Sequence, residues 1–163
     1  MRKPIRLISL LFIFFLATGP APAEQSHQAQ DGSFTLSLPD GFTTMAAPPA
    51  GTVLALETPG SSFNLFFLPG EAVELEPALF AERMKRNLFD NGAQIYEKSQ
   101  VEVGGVPAAK FFVGGLKPGR ESIFIFIQHP KTAYTVVMNY PAGQRDQAKG
   151  MWATAAQSLK FKD

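Results

Sequence analysis

Alternation of apolar and polar residues predicts the strands in the first part of this chain. Phe34 to Leu38 (FTLSL) alternates strictly, which is typical of a half-buried strand. Two further strands are expected at 53–57 and 63–68, and the residues 58–62 between them suit a hairpin turn. Thr43 to Gly51 is rich in proline and alanine and is expected to form a loop. The pattern therefore predicts a strand, a loop and a hairpin.

The hydrophobic period changes between Val73 and Phe89. Phe80, Met84 and Leu88 stand four residues apart, and charged side chains fill the opposite side, which predicts an amphipathic helix. Asp90-Asn91-Gly92 is expected to end this helix, because glycine readily adopts the left-handed conformation found after a helix C-terminus.

Strands dominate the following part of the chain, where four are predicted at 94–103, 106–113, 121–128 and 133–140. Gly104-Gly105 indicates a tight hairpin between the first two, and Gly114 to Gly119 is expected to form a looser turn. Residues 121–128 are apolar on both faces, which is typical of a central strand covered on both sides.

A second helix is expected to close the chain, opening after Pro141-Ala142-Gly143 and running to about Ser158. Its predicted buried stripe consists of Ala148, Met151, Trp152, Ala155 and Leu159. Together the elements predict an α+β fold, in which two helices pack on an antiparallel β-sheet of about six to seven strands.

This order of elements resembles that of the PsbP-like and Mog1-like proteins, including the DcrB-like exported proteins of bacteria. The segments that carry the resemblance are Phe34 to Phe42, the hairpin Val103 to Lys110, the strands Ile123 to Ile127 and Tyr134 to Tyr140, and the closing Ser158 to Phe161. The resemblance implies an interaction module or accessory subunit. It supplies no shared catalytic motif, so no site residue can be transferred from it.

The N-terminus has the pattern of a secretory signal peptide. Arg2, Lys3 and Arg6 precede an apolar run at 7–17, and Ala21-Pro22-Ala23 offers small residues for cleavage after Ala23. A retained membrane anchor is the alternative, but the run is shorter than the about 20 residues that a spanning helix needs. The chain is therefore expected to be exported, to the periplasm first of all and to the extracellular medium as the alternative.

The expected organisation is a signal peptide at 1–23, a polar flexible leader at 24–33 and a single domain at 34–163. Three of the 15 basic residues precede the cleavage site, whereas all 14 acidic residues follow it, which leaves the processed chain with a formal charge of −2. This balance argues against nucleic acid as a partner. No membrane span is expected after cleavage. The chain has no cysteine, which excludes disulfides and thiol chemistry.

Candidate chemical groups are few. His27 lies in the polar leader and His129 in a turn, so convergence of the two on a metal ion is not expected. Ser61 and Ser62 follow a glycine, but the segment suits a turn better than a nucleophile that needs a histidine and a carboxylate beside it. All four residues are therefore interpreted as structural rather than as metal ligands or catalytic groups.

The acidic and glycine-rich segments are also interpreted as structural rather than as catalytic or phosphate-binding. Glu71, Glu74 and Glu76 suit the start of a helix, where its dipole favours negative charge. Glu97 and Glu102 are five residues apart on one strand and should face opposite sides, which disfavours a carboxylate pair. The glycine pairs at 104–105 and 114–115 connect strand to strand, whereas a phosphate loop leads into a helix.

Phenylalanines could fill a core or line a pocket between sheet and helix. Those on the predicted strands are Phe63, Phe66, Phe67, Phe111, Phe112, Phe124 and Phe126. The core is the favoured interpretation, and a pocket for an apolar ligand is the alternative.

These observations assign no catalytic, cofactor-binding or metal residue, and no cofactor is expected. The favoured function is a non-catalytic accessory or protein-interaction domain whose partner is another exported or envelope protein. A periplasmic carrier of a small apolar ligand and a hydrolase of unfamiliar type are the alternatives. The loops at 43–51 and 114–120 are the first expected contact surface, and the oligomeric state stays open.

Overall fold

The computed structural model describes residues 23–162. The predicted signal peptide therefore lies outside the described residues, apart from Ala23, and its cleavage stays a prediction. In chain order the elements are β1 (Glu24–Gln28), β2 (Phe34–Pro39), β3 (Thr43–Thr44), β4 (Leu54–Glu57), β5 (Asn64–Gly70), α1 (Pro77–Asp90), β6 (Gln94–Val103), β7 (Val106–Lys117), β8 (Arg120–Gln128), β9 (Ala133–Pro141), α2 (Arg145–Ser158) and β10 (Lys160–Phe161).

Seven of these strands form one antiparallel sheet in the order β3-β4-β5-β9-β8-β7-β6. A smaller antiparallel sheet has the order β1-β2-β10. β8 lies inside the large sheet between β7 and β9, as its two apolar faces predicted. The predicted α+β class, with two helices on an antiparallel sheet, is confirmed.

One face of the large sheet packs against α2 and the small sheet and forms the main core. Alternate residues of β8 and β9 point into it, including Ile123, Ile125, Val136 and Met138, all fully buried. Phe34 of β2 meets them from the opposite layer. The alternation seen in the sequence thus corresponds to burial of one face of each strand.

The other face of the large sheet is covered by α1. Phe80, Ala81 and Leu88 of the helix pack on Phe111 of β7 and Phe126 of β8. Because Phe111 and Phe112 are neighbours on β7, they point to opposite faces and join different cores. The phenylalanine-rich strands are therefore consistent with a sheet covered on both sides.

α1 begins later than its hydrophobic pattern predicted, at Pro77 rather than Val73. The carboxylate of Glu76 caps the helix by accepting hydrogen bonds from the backbone N–H groups of Ala78 and Leu79, at 3.0 and 3.3 Å. The preceding segment is held by Gln128, whose side-chain amide donates to the carbonyl groups of Val73 and Leu75. Val73 and Leu75 therefore pack against the core under α1, although they lie before the helix begins.

Two further expectations need correction. Residues 24–33 were assigned no strand, yet β1 lies there and pairs antiparallel with β2, from Glu24 opposite Pro39 to Gln28 opposite Thr35. Its side chains stay largely exposed, so backbone pairing creates the strand without a hydrophobic pattern. Residues 114–119 were expected to form a turn, but β7 continues to Lys117 because Gly114 still pairs with Gln94 of β6.

Candidate binding cleft

A cleft of about 330 Å³ lies between α2 and the hairpin of β6 and β7. Its helix side consists of Lys149, Trp152, Ala153 and Ala156, which follow the i, i+3, i+4, i+7 spacing of one helix face. Val101 of β6 lies on the strand side of the cleft. The cleft therefore arises where one face of α2 passes over the last two strands of the sheet.

Aromatic side chains form the floor of this cleft. Trp152 is 4% exposed and Phe112 is 1% exposed. The ammonium nitrogens of Lys110 and Lys149 lie over the Phe112 ring, 5.5 and 4.7 Å from its centre. Such cation–π contacts hold both ammonium groups at the rim while their aliphatic stems cover apolar surface.

An ion pair connects the two walls. The Lys149 ammonium lies 3.1 Å from a carboxylate oxygen of Glu97 on β6. Both side chains are substantially exposed, so solvent screens their attraction and the pair adds little to stability. Gln157 adds a further polar side chain to the cleft lining. The result is an apolar floor with a rim of both charge signs, the arrangement found where an apolar anchor binds among polar contacts.

A second ionic cluster lies at the start of α2. The Arg145 guanidinium donates to both carboxylate oxygens of Glu121 at 3.1 Å and lies 4.6 Å from the centre of the Tyr96 ring. Burial, with the nearby Glu121 carboxylate as a further cause, raises the pKa of Tyr140 to about 12. The bidentate pair joins α2 to β8 and thereby fixes the helix that forms one wall of the cleft.

Three solved structures show how this architecture relates to known proteins. Cyanobacterial PsbP (CyanoP) from Synechocystis sp. PCC 6803 matches with a TM-score of 0.63 at 13% identity, over 90% of this chain and 96% of that chain. The Ran-binding protein Mog1p of Saccharomyces cerevisiae matches with a TM-score of 0.63 at 12% identity, over 88% and 97%. LpqN of Mycobacterium tuberculosis matches with a TM-score of 0.65 at 11% identity, over 86% and 91%.

The chain has a PsbP/Mog1-like fold. By sequence, neither a protein-family model nor a curated protein matches it. Identities this low establish a shared fold and no shared activity. The resemblance expected from the order of elements is confirmed at the level of the fold, and the DcrB-like assignment stays a prediction.

Within this PsbP/Mog1-like fold the two histidines occupy separate elements. His27 lies on β1 opposite Leu36, and burial lowers its pKa. His129 follows β8, where its ring packs 4.6 Å from that of Phe161. Within residues 23–162, no group of three or more His, Asp or Glu side chains could hold a metal ion.

The other candidate residues also lie apart from one another. Ser61 ends a 3₁₀ turn between β4 and β5, in the segment predicted as a hairpin turn. Glu76 caps α1, and Glu97 is paired with Lys149 in the cleft. Gly104 and Gly105 both have positive φ, 59° and 82°, and connect β6 to β7, as predicted for a tight hairpin.

The cleft itself was only partly foreseen. Phe112 and Trp152 were predicted to be buried, and a pocket between sheet and helix was the stated alternative to a filled core. Of the phenylalanines on the strands, Phe66 and Phe124 are half-buried and the others are buried. The sequence contains no local signal that places Glu97 beside Lys149, because the two are 52 residues apart.

Proposed function

We propose that this chain is an exported, non-catalytic interaction domain that binds a segment of another exported or envelope protein in the cleft between α2 and β6. The periplasm is the proposed location. The observation that carries the proposal is the combination of an aromatic floor, formed by Phe112 and Trp152, with a rim that bears Glu97, Lys110 and Lys149. Binding surfaces commonly surround a central apolar anchor with polar contacts of this kind.

The fold relatives are consistent with this proposal. Mog1p is described as Ran-binding, and LpqN is described as involved in cell envelope biogenesis. Mog1p is thus a precedent for protein binding by this fold, and LpqN is a precedent for a role in the cell envelope. Among residues 23–162, neither helix combines the length and apolar character that a membrane crossing requires.

A matched pair of substitutions tests the cleft. Ala153→Arg places a long side chain in the cleft from an exposed position on α2, whereas Gln147→Arg places the same side chain at an exposed position on another face of the same helix, outside the cleft lining. Affinity capture from the exporting compartment should recover a protein with the unsubstituted chain and with Gln147→Arg, and at least tenfold less of it with Ala153→Arg. Equal recovery by all three chains would refute the cleft as the binding surface.

The segments 43–51 and 114–120 remain a second proposed contact surface. Leu116 supports part of it, because its side chain is 39% exposed beside the hairpin of β7 and β8. Alanine substitutions in each segment should weaken binding of the captured protein if it also touches these segments. Unchanged affinity would remove them from the contact surface.

A carrier of a small apolar ligand is the alternative function that the cleft favours. Its volume of about 330 Å³ lies at the lower end of the range for small-molecule sites. Native mass spectrometry of the protein purified from its source cell would show added mass in this case. A mass equal to that of the polypeptide alone would count against the carrier and leave the interaction domain.

A further inference from the structure

The edge of the large sheet at β6 is long and regular. Among the described residues no strand pairs with its outer side, because β6 ends the strand order. A register shift lies between Ile95 and Glu97, and from Glu97 to Val103 the pairing with β7 is continuous. An edge of this length can pair with another strand unless its side chains prevent it.

The hairpin turn determines which backbone groups of β6 point outward. Gly104 and Gly105 have φ of 59° and 82°, the conformation of a two-residue type I′ turn. Val103 and Val106, which flank the turn, therefore form a hydrogen-bonded pair. Because such pairs alternate along an antiparallel ladder, Val101 and Ser99 also direct their backbone groups to β7. Lys98, Gln100 and Glu102 direct their N–H and C=O groups outward.

The charges on these three residues are self-complementary. Lys98 and Glu102 lie symmetrically on either side of Gln100. If a second copy of the chain pairs antiparallel with Gln100 opposite Gln100, each Lys98 lies opposite Glu102 of the other copy, and all outward backbone groups meet in hydrogen-bonded pairs. A register shifted by four residues instead places Lys98 opposite Lys98 or Glu102 opposite Glu102. In a register shifted by two residues, Lys98 and Glu102 both lie opposite uncharged residues.

The space around this edge allows a second copy to approach. On one face the cleft extends along Val101 and Val103. On the other face a groove of about 350 Å³ is lined by Pro77, Gln100 and Glu102. Neither helix therefore covers the edge at this point. Glu102 has no ion-pair partner among the described residues, which leaves its carboxylate available to the second copy. The Lys98 ammonium contacts Glu82 of its own chain and, with three donors, can also accept a second carboxylate as a partner.

We infer that the chain forms a symmetric dimer by antiparallel pairing of β6 with β6, centred on Gln100. A two-fold axis perpendicular to the sheet keeps both clefts on the same face. The two clefts then lie side by side, with Val101 of each copy between them. The interface pairs one short strand segment with another, which is typical of a weak and reversible association. This inference goes beyond the proposed function and does not depend on it.

Disulfide trapping tests the register directly, because the chain contains no cysteine. Residues opposite each other in a hydrogen-bonded pair have Cα atoms about 5.5 Å apart, within the range that a disulfide spans. Gln100→Cys, in the protein purified as its source cell processes it, should form a covalent dimer on oxidation. Glu102→Cys is the control, since its two copies would lie about 14 Å apart. Equal crosslinking of both variants, or none at position 100, would overturn the inference.

A charge exchange provides an independent test by sedimentation. Glu102→Lys places Lys98 opposite a lysine and should raise the dimer dissociation constant at least tenfold, while leaving the contact of Lys98 with Glu82 in place. Glu102→Gln removes the attraction without adding a like charge and should raise the dissociation constant less than Glu102→Lys does. A chain that is monomeric at millimolar concentration, or a Glu102→Lys variant that dimerises as well as the unsubstituted chain, would refute pairing in this register.

Discussion

The ammonium of Lys149 on α2 lies 3.1 Å from the carboxylate of Glu97 on β6. This contact joins a helix and an edge strand across the mouth of the cleft. Lys149 also lies over the Phe112 ring, 4.7 Å from its centre, so one side chain contributes to the rim and covers the floor. The ion pair with Glu97 and the contact with the Phe112 ring should contribute differently to the free energy of unfolding. Substituting Glu97 and Lys149 separately distinguishes the two contributions.

We expect Lys149→Ala to lower the free energy of unfolding more than Glu97→Gln does. The carboxylate contributes only an exposed ion pair, so its loss should cost less than about 1 kcal/mol. The lysine also contributes a stem that covers apolar surface and a cation–π contact. Urea unfolding of the two variants measures the difference. A larger loss for Glu97→Gln would mean that the pair, rather than the aromatic contact, holds this wall.

The bidentate pair of Arg145 with Glu121 should contribute more to stability than the exposed pair of Lys98 with Glu82. Glu121 is mostly buried, and Arg145 is about one third exposed. Glu121→Gln is expected to lower the free energy of unfolding by about 2 kcal/mol, because it weakens two charge-assisted hydrogen bonds. Glu82→Gln is the matched control and should have a smaller effect. Similar losses in the two variants would contradict the structural role given to Arg145.

The two glycines of the β6–β7 turn should respond differently to alanine. Both have positive φ, which costs an L-residue about 1 kcal/mol or more. A Cβ on Gly104 would also lie 2.9 Å from the Phe161 ring and 3.0 Å from Leu159, whereas a Cβ on Gly105 meets nothing within 4 Å. Gly104→Ala should therefore lower the midpoint of thermal unfolding more than Gly105→Ala. The opposite order would place the contact with β10 in doubt.

The free energy of unfolding should decrease in mild acid because His27 is partly buried. Burial lowers its pKa from the ordinary value of 6.5, so the unfolded chain binds a proton at pH values where the folded chain does not. The free energy of unfolding is therefore expected to decrease as the pH falls below 6.5 and to be insensitive to this group well above it. Urea unfolding at pH 8 and pH 5.5 should show a smaller decrease for His27→Gln. The same decrease in both chains would exclude His27 as the cause.

Periodic segments were predictable because their hydrophobic pattern determines which face is buried. The stripe of α2 is an example, since Ala148, Trp152 and Ala155 are buried as their spacing predicted. β1 could not be predicted in this way, because its exposed side chains carry no pattern and its backbone pairing with β2 defines it. β10, which is two residues long, likewise depends on β2 and not on its own sequence.

The cleft depends on contacts between residues far apart in the chain. Each of its floor residues was identifiable as apolar and buried, but the gap above them reflects how α2 crosses the hairpin. The crossing is fixed by the buried stripe of α2 and by Arg145 with Glu121, which are 24 residues apart. Lys149 with Glu97, which are 52 residues apart, adds an exposed contact across the cleft. Charges at such separations give no periodic signal, so the position of the helix follows only from the folded structure.

Site-specific photocrosslinking in the source cell tests the proposed function most directly. A benzophenone amino acid replaces Ala153 at the cleft or, as the control, the exposed Gln147 on another face of α2. If the cleft binds another exported or envelope protein, irradiation should produce a covalent adduct with that protein from position 153 and little or none from position 147. Adducts of equal yield from both positions, or no adduct from position 153, would contradict the cleft as the binding surface of this domain.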